Sequence, residues 1–334
     1  MLDIILLVLS LAVILAGAEF FTNGVEWLGK KFNLGEGAVG SILAAVGTAL
    51  PETMVPIIAI IFGGQASGES IGIGAILGAP FMLSTLAFFI TGLAAVAYRK
   101  RRPNYPRMDL DTAIMSRDLG FFLLVYTIAI SAAFLHQHIF KEFIATALVL
   151  AYGTYAYLTV KHGQGEGADE EMNPLYFYRF TSNPPTALVF LQVAVALGMI
   201  VGGARLFVRG VEDISTMLGV PPFVLALIIA PIATELPEKF NSVIWIGRGK
   251  DTLALGNITG AMVFQSSIIP AVGITLTSWV LTRGAMLSAV LALASAGLVY
   301  LQILRKRYLT PHILLGGGVF YSIFILLVVT GVIR

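Results

Sequence analysis

Apolar residues in this chain come in long blocks rather than at every second or third position. Ten blocks are long enough to cross a bilayer at roughly 20 residues per crossing. They run 3–29, 36–62, 70–97, 113–135, 139–160, 186–210, 220–246, 253–281, 285–304 and 310–331. Backbone polar groups in hydrocarbon must be satisfied within their own segment, so the blocks predict an all-α integral membrane protein of ten transmembrane helices. The first block starts at Leu2 with no basic n-region and no cleavage site, and it reads as a span rather than a signal peptide.

Two blocks break the apolar pattern in the same way. Thr48-Ala49-Leu50-Pro51-Glu52 lies in the second and Thr234-Glu235-Leu236-Pro237-Glu238 in the seventh. A carboxylate in hydrocarbon costs several kcal/mol and a proline releases a backbone carbonyl. The same double penalty at matching points of two halves points to an intramembrane cation site.

The match extends well beyond these phrases. Shifting the chain by 186 positions lays Ala16–Glu52 on Gly202–Glu238 without a gap, with Gly17 on Gly203, Phe21 on Phe207, Glu26 on Glu212 and Ala44 on Ala230. After a shorter second loop, Ile76 and Gly78-Ala79 fall on Ile258 and Gly260-Ala261. The chain is a tandem repeat whose unit is several spans long. The predicted organisation is a first five-span repeat over 1–160, a linker over 161–185 and a second five-span repeat over 186–334.

Composition adds two points. The chain is 57% hydrophobic and 12% charged, with a mean hydropathy of +0.88, outside the range of soluble domains. It has no cysteine, which excludes disulfides and thiolate metal sites.

Loop charge then sets the expected orientation. Lys30, Lys31, Arg99–Arg102, Arg107, Arg117, Lys161, Arg179, Arg248, Lys250 and Arg305–Arg307 are all assigned to the loops after odd-numbered spans, whereas the other side holds little beyond Lys141, Arg209, Arg283 and Arg334. By the positive-inside rule, both termini are expected outside the cell membrane. Five spans per half then insert the two repeats upside down relative to each other, with a shared site near the midplane. The linker is glycine-rich and then acidic (Asp169, Glu170, Glu171). Such a run can bind Ca²⁺, and a flexible solvated linker is the simpler expectation.

The doublet carries its own chemistry. Pro51 cannot donate to the carbonyl of Gly47, nor Pro237 to that of Ala233, so each helix is left with exposed carbonyl oxygen. Thr48 precedes Glu52 by four residues, as Thr234 precedes Glu238, which puts hydroxyl and carboxylate on one helix face. Carboxylate, hydroxyl and carbonyl are hard oxygens suited to Ca²⁺ or Na⁺.

In Gly17-Ala18-Glu19, Gly47-Thr48-Ala49-Leu50-Pro51-Glu52, Ala233-Thr234-Glu235-Leu236-Pro237-Glu238 and Gly256-Asn257-Ile258-Thr259-Gly260, the chain resembles the sodium/calcium exchangers of the calcium/cation antiporter superfamily. The resemblance covers essentially the whole chain, and the Thr-x-Leu-Pro-Glu doublet is its specific part. It implies ten spans, an outward N-terminus, and alternating access in which spans one and six slide against the bundle.

The sequence also departs from that family. Where the family usually has Asn or Asp in spans three and eight, the aligned residues are Pro80 and Met262, neither with a side-chain oxygen. The serine of the motif is replaced by Ala49 and by Glu235, and Lys239 follows Glu238. Substitute oxygens are Ser84 and Thr85 on span three and Asn257, Thr259, Gln265 and Ser266 on span eight, each of which equally suits helix–helix hydrogen bonding. Lys239 lies one turn after Glu235, the favourable order for an internal ion pair, and can alternatively act as a tethered cation. Glu19 and Arg205 share one repeat position and either approach the midplane or snorkel to the surface.

The metal-site candidates are therefore Glu52, Glu238, Thr48, Thr234, Gly47, Ala233 and Glu235, with Lys239, Asn257, Gln265 and Ser84 as accessories. No nucleophile–base pair, metallohydrolase motif or phosphate loop is present, so an enzyme is not expected, nor a cofactor or a nucleic-acid partner. The expected partners are inorganic cations and the lipid bilayer. The expected activity is secondary antiport, with Ca²⁺ and Na⁺ as the transported ions. Exchange of protons or another hard cation, or cation binding without transport, are the alternatives.

Overall fold

The computed structural model describes residues 2–32, 44–162, 173–178 and 184–333, and within these it does not describe the side chains of 44–51, 233, 236–241 and a few isolated positions. Among the described residues there are eleven α-helices. They are α1 (Leu2–Lys31), α2 (Ala44–Phe62), α3 (Gln65–Met82), α4 (Phe88–Ala97), α5 (Thr112–Ser131), α6 (His138–His162), α7 (Thr186–Leu218), α8 (Pro222–Gly247), α9 (Asp251–Leu276), α10 (Arg283–Lys306) and α11 (Pro311–Val329).

Local chemistry explains several helix ends. Asp111 caps α5 by accepting from the amides of Ala113 (2.8 Å) and Ile114 (3.2 Å). Thr282 caps α10 through the Ala285 amide. Pro222 and Pro311 open α8 and α11, where no amide is needed. Gly219, at φ 65°, closes α7 in the left-handed conformation that glycine adopts without strain.

α3 and α4 are one span joined by the π-turn Leu83–Ala87. Pro80 has no amide to offer, and the Ser84 hydroxyl donates to the Pro80 carbonyl (2.7 Å), so the hydrogen-bond ladder is rearranged there.

Eight helices among the described residues are long and apolar enough to cross a membrane, and the shorter apolar stretches Glu52–Phe62 and Pro222–Ile232 belong to α2 and α8. The spans divide by position. Of the apolar stretch in Ser67–Ala97, 83% is buried, and in Asp251–Leu276, 67%, against 17% to 44% in the other six. The centre of the bundle is therefore α3–α4 and α9. The halves interleave around it: α9 packs against α5 and α6, while α3 and α4 pack against α10 and α11.

The most extensive pairing, α1 with α7, is reciprocal. A methyl group placed on Gly17 would stand 3.0 Å from Ile200, and one on Gly203 would stand 2.8 Å from Ile14. Likewise Gly24 faces Val193, and Gly210 faces Leu7. Each contact maps onto its counterpart under the 186-residue shift, and residue order ascends on α1 as it descends on α7. The two helices therefore run antiparallel about a local two-fold axis perpendicular to them. Small residues at the crossing let the backbones approach, as is usual in membrane helix pairs.

The contrast between two adjacent glycines is testable. Gly203→Val should destabilise the protein by about 1–3 kcal/mol through overpacking against Ile14 and the Ser10 carbonyl. Gly202→Ala, which meets no described atom within 4 Å, should be neutral or mildly stabilising. Thermal unfolding of both variants in detergent checks this, and equal melting temperatures would contradict the crossing.

Candidate cation site

α2 and α8 carry the two proline–glutamate phrases, and both helices continue through their prolines. Each proline leaves the carbonyl four residues earlier, at 47 and 233, without its intrahelical donor. Gly47, Thr48, Ala233, Glu238 and Lys239 lie on these helices, but their side chains are outside the described residues.

The described members of the doublet are all buried: Glu52 is 8% exposed, Thr234 3% and Glu235 1%. Charged side chains of this kind are rarely hidden in a membrane bundle without a partner or a transported ion. The Thr234 hydroxyl donates to the Ala230 carbonyl on its own helix (3.0 Å), which leaves its lone pairs available to a cation.

Glu235 is met from the neighbouring helix. Gln265 Nε2, on α9, donates to Glu235 Oε1 at 3.0 Å. Gln265 is 2% exposed, and its own Oε1 is buried with no hydrogen bond among the described residues. The structure thus brings two of the sequence candidates together as a carboxylate beside an amide oxygen, both hard donors. Lys239 sits one helical turn beyond Glu235.

The other candidates are placed differently. Pro80 and Met262 are buried and offer no side-chain oxygen. The hydroxyls of Ser84, Thr85 and Ser266 donate to carbonyls of their own helical segments. Asn257 is half-buried near the start of α9. Glu19 and Arg205 are both exposed: Glu19 accepts from the Tyr176 hydroxyl (2.7 Å), and the Arg205 guanidinium stacks 4.1 Å over the Phe62 ring. Their shared repeat position therefore puts no second charge pair in the interior.

Within the apolar blocks, the sequence reasoning passed over a buried carboxylate. Asp118 on α5 is 2% exposed, bonded by the Thr259 hydroxyl of α9 (2.8 Å) and by the Arg117 guanidinium (3.1 Å). The signal was an acidic residue inside the fourth apolar block, overlooked because Arg117 beside it was counted with the loop charges.

Removing the Gln265 amide should expose the value of its contact. Gln265→Leu leaves Glu235 without that donor and should lower stability by about 1–3 kcal/mol, read from thermal unfolding. Gln265→Glu should weaken it further by placing two carboxylates in contact, and added cation should then partly restore the melting temperature.

The sequence pattern of the sodium/calcium exchanger protein family matches residues 2–161 and 188–332. The putative antiporter CaxA of Alkalimonas amylolytica is 24% identical over 298 residues, covering 86% of this chain and 88% of that protein. Among solved structures, an H⁺/Ca²⁺ exchanger, CAX, superposes with a TM-score of 0.73 at 18% identity, covering 98% of this chain and 82% of that one. The sodium-calcium exchanger NCX_Mj superposes with a TM-score of 0.55 at 22% identity, covering 97% and 98%. The match spans both halves and includes the two proline–glutamate helices, so this chain belongs to the sodium/calcium exchanger protein family, a family of membrane transporters and not of enzymes.

Proposed function

We propose that this protein is a secondary active antiporter that exchanges Ca²⁺ for Na⁺ by alternating access, with a midplane site built on Glu52 and Glu238. The observation that carries the reading is the duplicated proline–carboxylate phrase, whose described carboxylates, Glu52 and Glu235, are buried inside apolar helices. Thr48 and Thr234, the carbonyls of Gly47 and Ala233, and Glu235 complete a hard-oxygen ligand set. Lys239, Asn257, Gln265 and Ser84 are accessory groups. Two glutamates balance one divalent ion or two monovalent ones, which is the charge logic of exchange.

In this reading the chain has ten spans, with α3 and α4 forming one, arranged as inverted five-span repeats over 1–160 and 186–334. The reciprocal, antiparallel α1–α7 contact supports the inversion. Residues 161–185 lie on the cytoplasmic side of the cell membrane and both termini outside, as the loop charges favour.

A second reading, exchange driven by protons or by another hard cation, is favoured by one observation. Pro80 and Met262 are buried without a side-chain oxygen where the family usually has Asn or Asp, so fewer ligands remain for several bound Na⁺ ions.

Reconstituted proteoliposomes separate the readings. Ca²⁺ uptake should follow an outward Na⁺ gradient and be competed by external Na⁺. Uptake that follows a pH gradient instead selects the proton-coupled reading. Cation binding with no counter-ion-dependent flux under Na⁺, K⁺, Mg²⁺ or H⁺ gradients would sink antiport altogether.

A further inference from the structure

Part of the connection between the two halves is docked on the protein rather than solvated. Residues 173–178 form a tight turn closed by the Leu175–Tyr178 bridge. The Leu175 side chain is fully buried beside Trp27 of α1 and Val189 of α7.

Side chains of α1 and α7 bind the backbone of this turn. Asn23 Nδ2 donates to the carbonyls of Asn173 (3.3 Å) and Pro174 (3.4 Å), and Trp27 Nε1 donates to Asn173 (3.1 Å). Asn23 Oδ1 accepts from the Tyr176 amide at 3.2 Å. Gln192 of α7 joins all three pieces. Its Oε1 accepts from the Phe177 amide (2.9 Å), and its Nε2 donates to the Phe20 carbonyl (2.9 Å) and to Asn23 Oδ1 (3.0 Å). Gln192 is 0% exposed and Asn23 4%.

These bonds all run among α1, α7 and the turn. The rest of the described α1–α7 contact includes glycines set against aliphatic side chains. Sliding α1 along α7 would unpair several buried polar groups at once, each expensive in an apolar interior. Moving the pair together against the bundle breaks none of them.

We propose that Gln192 is a positioning residue for exchange, clamping α1, α7 and residues 173–178 into one body that moves as a unit. The proposal rests on the antiport reading above, and its tests separate the two. Gln192→Leu removes all three bonds. Its maximal exchange rate per folded molecule should fall about ten-fold with an unchanged half-saturating cation concentration, because the ion site is untouched while the conformational step is slowed. Backbone amides of 173–178 should exchange hydrogen faster.

The chain has no cysteine, so Glu19→Cys with Tyr176→Cys can be joined selectively by a short bifunctional thiol reagent. The cross-link should leave exchange intact in the otherwise wild-type protein and restore the rate in the Gln192→Leu background. A merely structural glutamine would lower the yield and melting temperature without changing the rate of the folded fraction. A wild-type rate in Gln192→Leu, or a cross-link that stops exchange, overturns the clamp. If the wild-type protein carries no flux, antiport fails instead, and the clamp stands or falls on amide protection: unchanged protection of 173–178 in Gln192→Leu overturns it.

Discussion

Exchange flux through Glu52→Gln or Glu238→Gln protein is expected to fall by about 100-fold or more, equivalent to roughly 2.7 kcal/mol of lost ion stabilisation. The amide keeps the shape and one oxygen of the side chain and removes the charge that balances a transported cation. Folding should survive, because Glu52 is buried and a neutral group there is easier to desolvate than a carboxylate. The decisive comparison pairs flux with thermal unfolding of the same preparations. Loss of flux at an unchanged or raised melting temperature assigns both residues to the site. Wild-type flux in either variant would make that carboxylate structural.

Arg102→Ala is expected to cost about 3–5 kcal/mol of stability, the largest single structural effect predicted for this fold. Arg102 grips Asp251 with two parallel bonds, Nη1 to Oδ2 at 2.6 Å and Nη2 to Oδ1 at 2.7 Å. Asp251 opens the central helix α9, is 0% exposed, and also accepts from the Asp109 amide (2.9 Å). Arg102 further donates to the Ile246 carbonyl at the end of α8 (2.9 Å). One guanidinium therefore ties the segment after α4 to the turn between α8 and α9. Truncating it leaves a buried carboxylate short of its counter-charge. Arg102→Lys should lose less but still measurably, since an ammonium cannot reproduce the paired geometry. Adding Asp251→Asn to Arg102→Ala should recover part of the loss. Chemical unfolding of the three variants checks the order, and an Arg102→Ala protein as stable as wild type would contradict it.

Helix ends show where the apolar pattern misjudged the chain. The sixth block was expected to stop at 210, where Arg209, Glu212 and Asp213 accumulate, yet α7 continues to Leu218. Charge ends hydrocarbon but does not end a helix; Gly219 does. The eighth block was expected to reach 281, and α9 stops at Leu276. Trp279, Val280 and Leu281 look like more span, but the Trp279 indole turns inward and donates to the Ala129 carbonyl of α5 (2.9 Å).

The sequence alone determined the helical membrane character, the duplication and the two proline–glutamate phrases, because these rest on local hydrophobicity and on residue identities at a fixed shift. Orientation is likewise argued from loop charge alone. Only the tertiary structure decided which polar groups meet across long separations. It brought Gln265 to Glu235, Thr259 to Asp118, and Gln192 with Asn23 to a turn expected to be solvated. No periodicity encodes such contacts. In an apolar bundle each buried amide or carboxylate must find a partner on another helix, and the packing of α3–α4 and α9 at the centre selects which one it finds.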